Sequence, residues 1–338
     1  MKIGVIGAGA IGALVGGYLK EKGHDVSLVG RPKNIQAIKN NGLIIEGVRG
    51  RKNIFLDADI KLNEKKDLIV LATKTQDLKE ALITNADFLK DTVILTIQNG
   101  VSSDVITSLF VDKKNIVSSI VMFGSTCIEE GRVIHNFEGE WIIGLPFKEG
   151  KIENLEKIRQ AAEGAFELYI TQEIIGMKWT KLFINFNNCI PAILGKSMQE
   201  VFSDLDICKI AINLIREGID IIEASGAMLV SLPKFPKERF LRLITVSEDE
   251  AAKIFSSMMV NLSKEPVYGS ILQSIKRRRP SEIDYINGEI VSLADGLNLN
   301  APLNKKIVKL VHNVENSGKF FNEKDLKEIF KEEQDEIS

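Results

Sequence analysis

The chain has 338 residues, 44% of them hydrophobic and 27% charged, which is enough for about two globular domains with sizeable cores. Lys plus Arg (44) nearly balances Asp plus Glu (46), and the net charge of -2 argues against nucleic acid as a main partner, which would need a basic surface. Cys127, Cys189 and Cys208 are odd in number and widely spaced, with no CxxC or Cys/His cluster; this suggests neither a disulfide framework nor a zinc site and fits a reducing cytoplasm.

At the start of the chain, Lys2 and the apolar stretch Ile3 to Leu19 superficially resemble a secretory signal. Gly4, Gly7, Gly9, Gly12 and Gly16 interrupt it, and Lys20-Glu21-Lys22 follows in place of a cleavage region. No later apolar stretch approaches the roughly 18 to 20 residues of a membrane span, so a soluble protein without a membrane partner is expected. Lys2 to Ile6 instead reads as a strand. The next helix carries Ile11, Leu14, Val15, Tyr18 and Leu19 at the spacing of a face lying on a core. Gly23 ends it, and Val26 to Val29 forms the second strand.

Asp67 to Ala72, Thr92 to Ile97 and Ile116 to Met122 repeat the buried-strand pattern with helical stretches between several of them. Such alternation predicts a doubly wound, mostly parallel sheet. Arg132 to Phe137 and Glu140 to Leu145 read as a hairpin around Gly139 at an antiparallel edge. Beyond Ile152 strand signals fade, and helices are expected over Asn154 to Leu168, Glu173 to Leu194, Asp204 to Ser225, Glu248 to Leu262, Ser281 to Leu297 and Pro302 to Asn316. Leu232 to Pro236 reads as a loop, the Arg277-Arg278-Arg279 run as a solvated face and the charged tail after Asn322 as a frayed helix. The division expected is an α/β domain over 1–172 followed by an all-α domain over 173–338, whose apolar helix faces are compatible with a homodimer.

Gly7-Ala8-Gly9-Ala10-Ile11-Gly12 is a GxGxxG element. The pattern alone is weak, and a merely Gly-rich turn is its bland alternative. Here it follows a strand directly and opens an amphipathic helix, the context of a Rossmann-type dinucleotide site. The first glycine permits the tight turn, the second lets the backbone approach a pyrophosphate, and the third lets helix and strand pack closely. The helix N-terminus adds unpaired N–H groups and a favourable dipole.

Cofactor choice is read at the end of the second strand, where Val29-Gly30-Arg31-Pro32-Lys33 has no acid for the ribose hydroxyls. Arg31 suits a 2'-phosphate, so NADP is favoured over NAD, the alternative being that Arg31 is an ordinary loop residue. Lys74 and Asn99 follow the ends of later strands, where open α/β sheets bind ligands, although Asn99-Gly100 also fits a simple turn and Lys74 a solvated lysine.

In the second half, Lys181, Asn185 and Asn188 fall within a sector of about 60° at about 100° per residue. Trp179, Leu182, Phe183, Phe186 and Ile190 take the opposite, core-facing side. Asn is a poor mid-helix residue, so this stripe points to a polar cleft wall able to hold a keto acid, against the alternative of a solvated face. Ser281 and Asp284 fit a capping box, with Glu282 in the first turn of the helix they would open.

Together these pieces resemble the ketopantoate reductase (2-dehydropantoate 2-reductase) family over nearly the whole chain. The matching elements are Gly7 to Gly12, Arg31, Lys74, Gln98-Asn99-Gly100, Lys181-Leu182 with Asn185, Ser270-Ile271-Leu272-Gln273, and Glu282-Ile283-Asp284-Tyr285-Ile286-Asn287-Gly288. The resemblance implies NADPH-dependent reduction of a 2-keto acid in the pantothenate and coenzyme A pathway. It implies Lys181 as general acid, Asn185 and Ser270 as substrate-binding residues, and Asn99 near cofactor and substrate. Glu282 would contact cofactor or orient the active site, and Thr126 would lie beside the nicotinamide. Two departures stand out: a second family asparagine falls at Cys189, with Asn188 next to it, and another falls at Val267. They leave open a reductase of another 2-keto acid, beside a non-catalytic NADP-binding regulator.

Overall fold

The computed structural model describes residues 1–331. The chain divides into two compact units, Met1–Lys178 and Trp179–Ser338. The first begins with β1 (Lys2–Ile6), α1 (Ala10–Glu21), β2 (Asp25–Val29) and α2 (Pro32–Asn41), followed by the short strands β3 (Leu43–Gly47), β4 (Lys52–Ile54) and β5 (Asp57–Asp59). It continues through β6 (Leu68–Leu71), α3 (Thr75–Thr84), β7 (Val93–Thr96), α4 (Ser102–Ser108) and β8 (Ile116–Val121). Next come β9 (Gly124–Glu129), β10 (Arg132–Phe137), β11 (Trp141–Gly144), α5 (Ile152–Ala162) and β12 (Leu168–Thr171).

Eight strands form the main sheet in the order β12-β11-β8-β7-β6-β1-β2-β5. All neighbours are parallel except β11 against β8, so the sheet is mostly parallel as expected. Its central strands β1, β6 and β7 are almost wholly buried and mainly apolar because both faces are covered. Ile3, Val5, Val70 and Leu95 face one core with Leu14 and Tyr18 of α1, and Ile6, Ile69, Leu71 and Ile94 face another with Leu78 and Leu82 of α3. Strand order reverses beside β1, which puts a switch point between β1 and β6.

A second sheet, β4-β3-β10-β9, covers the outer side of α1, and it departs from the sequence reading. Arg132 to Phe137 does not pair with Glu140 to Leu145 around Gly139. The hairpin lies one strand earlier, β9 with β10 around Gly131, while β11 joins the main sheet between β8 and β12. Composition is similar on both sides of Gly139, and only tertiary pairing separates the two sheets. The helix expected to run to Leu168 stops at Ala162, and β12 follows.

The helix α6 (Ile174–Phe186) spans the division between the units. The second unit continues with α7 (Cys189–Leu194), α8 (Met198–Val201), α9 (Leu205–Ala224), α10 (Glu238–Thr245) and α11 (Glu248–Val260). It ends with α12 (Ser270–Lys276), α13 (Asn287–Gly296), α14 (Pro302–Ser317) and α15 (Glu323–Lys331). The central helix is α9, whose Ile207, Ala211, Leu214, Ile215 and Ile222 are buried and which packs on α11, α13 and α14. The tail is not frayed up to Lys331: Leu326 and Phe330 are buried, and Lys327 Nζ bonds Asp204 at 2.6 Å and Asp206 at 3.2 Å.

One charged pair lies deep in the first unit. Lys178 Nζ is 2.8 Å from Asp104 Oδ2, each side chain 2% exposed. Thr96 Oγ1 and Ser118 Oγ donate to the same carboxylate, and Ser103 and Ser118 hydroxyls accept from Lys178. Every charge is thus compensated, and removal of one partner strands the other in low dielectric. Asp104→Ala is expected to cost about 3–5 kcal/mol in urea unfolding, and Asp104→Leu combined with Lys178→Met considerably less.

Candidate active site

At the switch point of the first unit, each glycine of the loop after β1 has its own steric reason. Gly7 has φ +115°, and a Cβ there would lie 2.4 Å from the Ala72 carbonyl carbon and the Thr73 nitrogen. A Cβ on Gly12 would lie 2.0 Å from the Gly7 oxygen, so α1 can start this close to the sheet only with hydrogen at that position. At Gly9 a Cβ would meet nothing within 4 Å, which leaves that backbone open on the side a phosphate would take.

The loop is held by Gly7 and Ala8 N–H donating to the Val29 carbonyl at 2.8 and 2.9 Å. Asn34 also steadies it, its amide donating to the Ala8 carbonyl and its oxygen accepting from Gly131 N–H. Asn34 carries no signal in the sequence, since its partners come from the loop after β1 and from the β9–β10 turn. The first turn of α1, with Ala10, Ile11 and Gly12, has neither a side-chain cap nor an acidic residue, so its amides and dipole favour an anion.

Lys74 is the residue before α3 and Asn99 follows β7, so both stand at carboxyl ends of strands flanking the switch point. Gln98 joins these loops: its Nε2 donates to the Leu71 and Thr73 carbonyls at 2.9 and 3.2 Å. Its Oε1 and the Thr73 hydroxyl are buried with no partner among the described residues, the sort of vacancy a hydrogen-bonding ligand satisfies. The loops therefore fit a dinucleotide.

Arg31 is exposed at the start of α2 and contacts Asp77 at 3.4 Å, a long pairing between two solvated side chains. Thr126 lies within β9 of the second sheet, opposite Ile134, and its hydroxyl accepts from Asn136 at 2.9 Å.

In the second unit, Lys181 and Asn185 are one turn apart on α6, while Trp179, Leu182, Phe183 and Phe186 are buried, so the two-sided character of this helix is as expected. Burial pushes the Lys181 ammonium down to about 8. The expected continuous helix breaks after Phe186, however, and Asn188 stands just before the separate α7 without a side-chain capping bond. Asn188 packs on Gly269, where a Cβ would lie 3.0 Å from its Cγ, and Gly269 immediately precedes the exposed Ser270 at the start of α12. Tertiary packing thus brings Asn188 beside the Ser270 segment.

Cys189 is fully buried, and its thiol donates to the Phe186 carbonyl at 3.2 Å; burial pushes it up to about 12. Val267 is anchored by its backbone, its N–H donating to Gln199 and its carbonyl accepting from Met198. Glu282 precedes a short 3-10 turn, Ile283–Tyr285, and α13 starts only at Asn287. The capping box does not form. Ser281 accepts from Ile283 N–H, while Asp284 turns to His312 and the Ser281 N–H donates to Glu315 instead.

The first unit has the architecture of a Rossmann-type dinucleotide-binding domain, and the helical unit carries Lys181, whose ammonium burial holds below the usual lysine range. The family model described as ketopantoate reductase PanE/ApbA matches residues 3–146, and its C-terminal companion matches residues 173–315. A 2-dehydropantoate 2-reductase of Pyrococcus horikoshii is 33% identical over 94% of this chain and 99% of its own length. A PanE/ApbA family ketopantoate reductase from Ralstonia eutropha is 25% identical, with a TM-score of 0.77 over 94% of this chain and 99% of that one. A D-mandelate dehydrogenase solved with NADH and anilino(oxo)acetate shares the fold, with a TM-score of 0.81 at 24% identity over 94% and 99% of the two chains. The chain belongs to the ketopantoate reductase family and is an oxidoreductase. Among the described residues no helix is long and apolar enough to cross a membrane, and no His, Cys, Asp and Glu side chains gather to hold a metal.

Gly7→Ala and Gly9→Ala separate backbone strain from ligand contact. Gly7→Ala should lower stability by at least about 1–3 kcal/mol, from its positive φ, before the clash with Ala72 is added. Gly9→Ala should unfold at the wild-type temperature, as thermal denaturation of the two variants would measure.

Proposed function

We propose that the protein reduces 2-dehydropantoate (ketopantoate) to pantoate with NADPH, as a step of pantothenate and coenzyme A synthesis. The observation that carries this reading is Lys181, which stands one turn from Asn185 on α6, within the stretch 173–315 that the family model matches, and whose ammonium burial pushes down to about 8. A lysine so displaced is still protonated at neutral pH and gives up its proton more readily than an exposed one.

When bound, NADPH would supply hydride chemistry toward the keto carbon. Lys181 donates a hydrogen bond to the keto oxygen, stabilises the negative charge that grows there, and passes its proton to the alkoxide, leaving a neutral amine and a 2-hydroxy acid. Asn185, Asn188, Asn99 and Ser270 supply neutral polar contacts for the substrate. Gly7 to Gly12 would hold the pyrophosphate, Lys74, Asn99, Thr126 and Glu282 would contact the remainder of the nucleotide, and Arg31 would hold the 2'-phosphate. The long, exposed contact of Arg31 with Asp77 is worth little, so a phosphate displaces it at small cost.

A second reading keeps the reaction and changes the acid. Cys189, where the family has an asparagine, is buried with its thiol bonded to Phe186, and Val267 has no polar side-chain atom. A site short of two amides discriminates less strictly among keto acids. A panel of 2-keto acids assayed with NADPH decides: kcat/KM far higher for another acid favours the second reading.

Lys181→Ala should keep nucleotide affinity and lose kcat by about 10²–10⁴-fold, the usual contribution of a general acid. Because the reacting form is the ammonium, kcat for reduction should fall as pH rises through about 8. Wild type should show a lower KM for NADPH than for NADH, and Arg31→Ala should erase most of that difference; equal constants in wild type would remove the 2'-phosphate role.

A further inference from the structure

The segment that carries Glu282 is gripped at two points by α14. Glu315 accepts the Ser281 N–H at 2.7 Å with Oε1, and its Oε2 lies 2.9 Å from His312 Nδ1. On the other ring edge, His312 Nε2 is 2.9 Å from Asp284 Oδ1. Glu282 lies between the two gripped residues, Ser281 and Asp284. Both ring nitrogens face carboxylate oxygens, which accept only. A neutral imidazole has one N–H, so one of its nitrogens would point a lone pair at a carboxylate; the imidazolium donates to both.

We propose that His312 is a positioning residue, whose imidazolium clasps Asp284 and Glu315 and thereby holds the turn that presents Glu282. Its effect on turnover rests on the reading above, in which Glu282 serves the reaction; its effect on the turn does not.

Burial lowers the imidazole pKa, but the bonds and charges of Asp284 and Glu315 outweigh it, and the pKa of His312 is raised. These two carboxylates are the charged groups that act on the ring. Of the elements packed on α14, α7 carries only the Cys189 thiol, α9 spends Glu217 on the N–H groups of Leu303 and Asn304, and the Glu289 of α13 is buried. With a raised folded pKa the clasp is complete below the ring's unfolded value and is lost as pH rises through the folded one.

The test compares His312→Gln with wild type in NADPH-dependent reduction of ketopantoate, taking the ratio of kcat values at each pH so that titration of Lys181 cancels. The variant should be about tenfold slower near pH 6 and should approach wild type near pH 9, where the clasp has opened in both. For His312→Lys, a cation throughout, the kcat ratio to wild type should rise over the pH range in which wild type loses the clasp. A ratio that does not change with pH overturns the link to turnover.

Two readouts do not need turnover. With only three histidines in the chain, the ¹³C-labelled His312 resonance is assigned by its absence in His312→Gln. Its titration midpoint should fall in Asp284→Asn, and amide exchange across Ser281–Tyr285 should quicken in His312→Gln near pH 6. An unmoved midpoint or unchanged exchange overturns the clasp itself. Absence of turnover on every keto acid with both readouts as expected refutes the proposed reaction and leaves the clasp standing.

Discussion

The helix α1 lies close to backbone on one side and to side chains on both, and the first unit is arranged around that closeness. A methyl at Gly12 would overlap the Gly7 carbonyl, one at Gly16 would lie 2.6 Å from Leu28, and one at Gly17 would lie 2.4 Å from Ile45 of the second sheet. Glycine inside a helix costs about 0.5–1 kcal/mol each against alanine. Here that cost permits a helix clamped between two sheets, with its uncapped N-terminus fixed at the place where strand order reverses. A loop that binds an anion through backbone amides needs such rigidity, because a mobile loop would pay the ordering entropy on every binding event.

The second unit uses polar groups in two distinct ways. Some are consumed by the fold. Asn304 donates to the Leu214 carbonyl and to Glu217 and accepts from Asn287, all in a buried cluster that ties α14 to α9 and α13. Asn287 belongs to the Glu282-to-Gly288 element that carries part of the family resemblance, yet it is fully buried and bonds Asn304. Lys181, Asn185, Asn188, Ser270 and Glu282 all retain some solvent exposure. The distinction between an asparagine that holds helices together and one that remains accessible is a matter of burial, and residue type does not reveal it.

Much of the first unit was legible in advance. The strands β1, β2, β6, β7 and β8 announce themselves because burial on both faces demands mainly apolar runs, and the glycines of the loop stand out because they follow a strand directly and open an amphipathic helix. The short strands β3, β4 and β5 were not legible. Each has five residues or fewer with mixed character, and it becomes a strand only through partners far away in sequence. The same holds for the hairpin around Gly131, whose partner choice depends on β3 being available to β10.

By itself the sequence determined the class of fold, the dinucleotide loop and the polar stripe of α6, since these rest on local periodicity and on residue chemistry that acts over one turn or one strand. Tertiary structure alone decided which strands pair and where α6 breaks. It also decided that Asn188 meets Gly269, and that His312 and Glu315 reach back to grip the Glu282 turn. Those contacts join residues about 30 to 100 positions apart, and no local pattern records them, because the energy that selects them is that of burying and pairing groups across the folded chain.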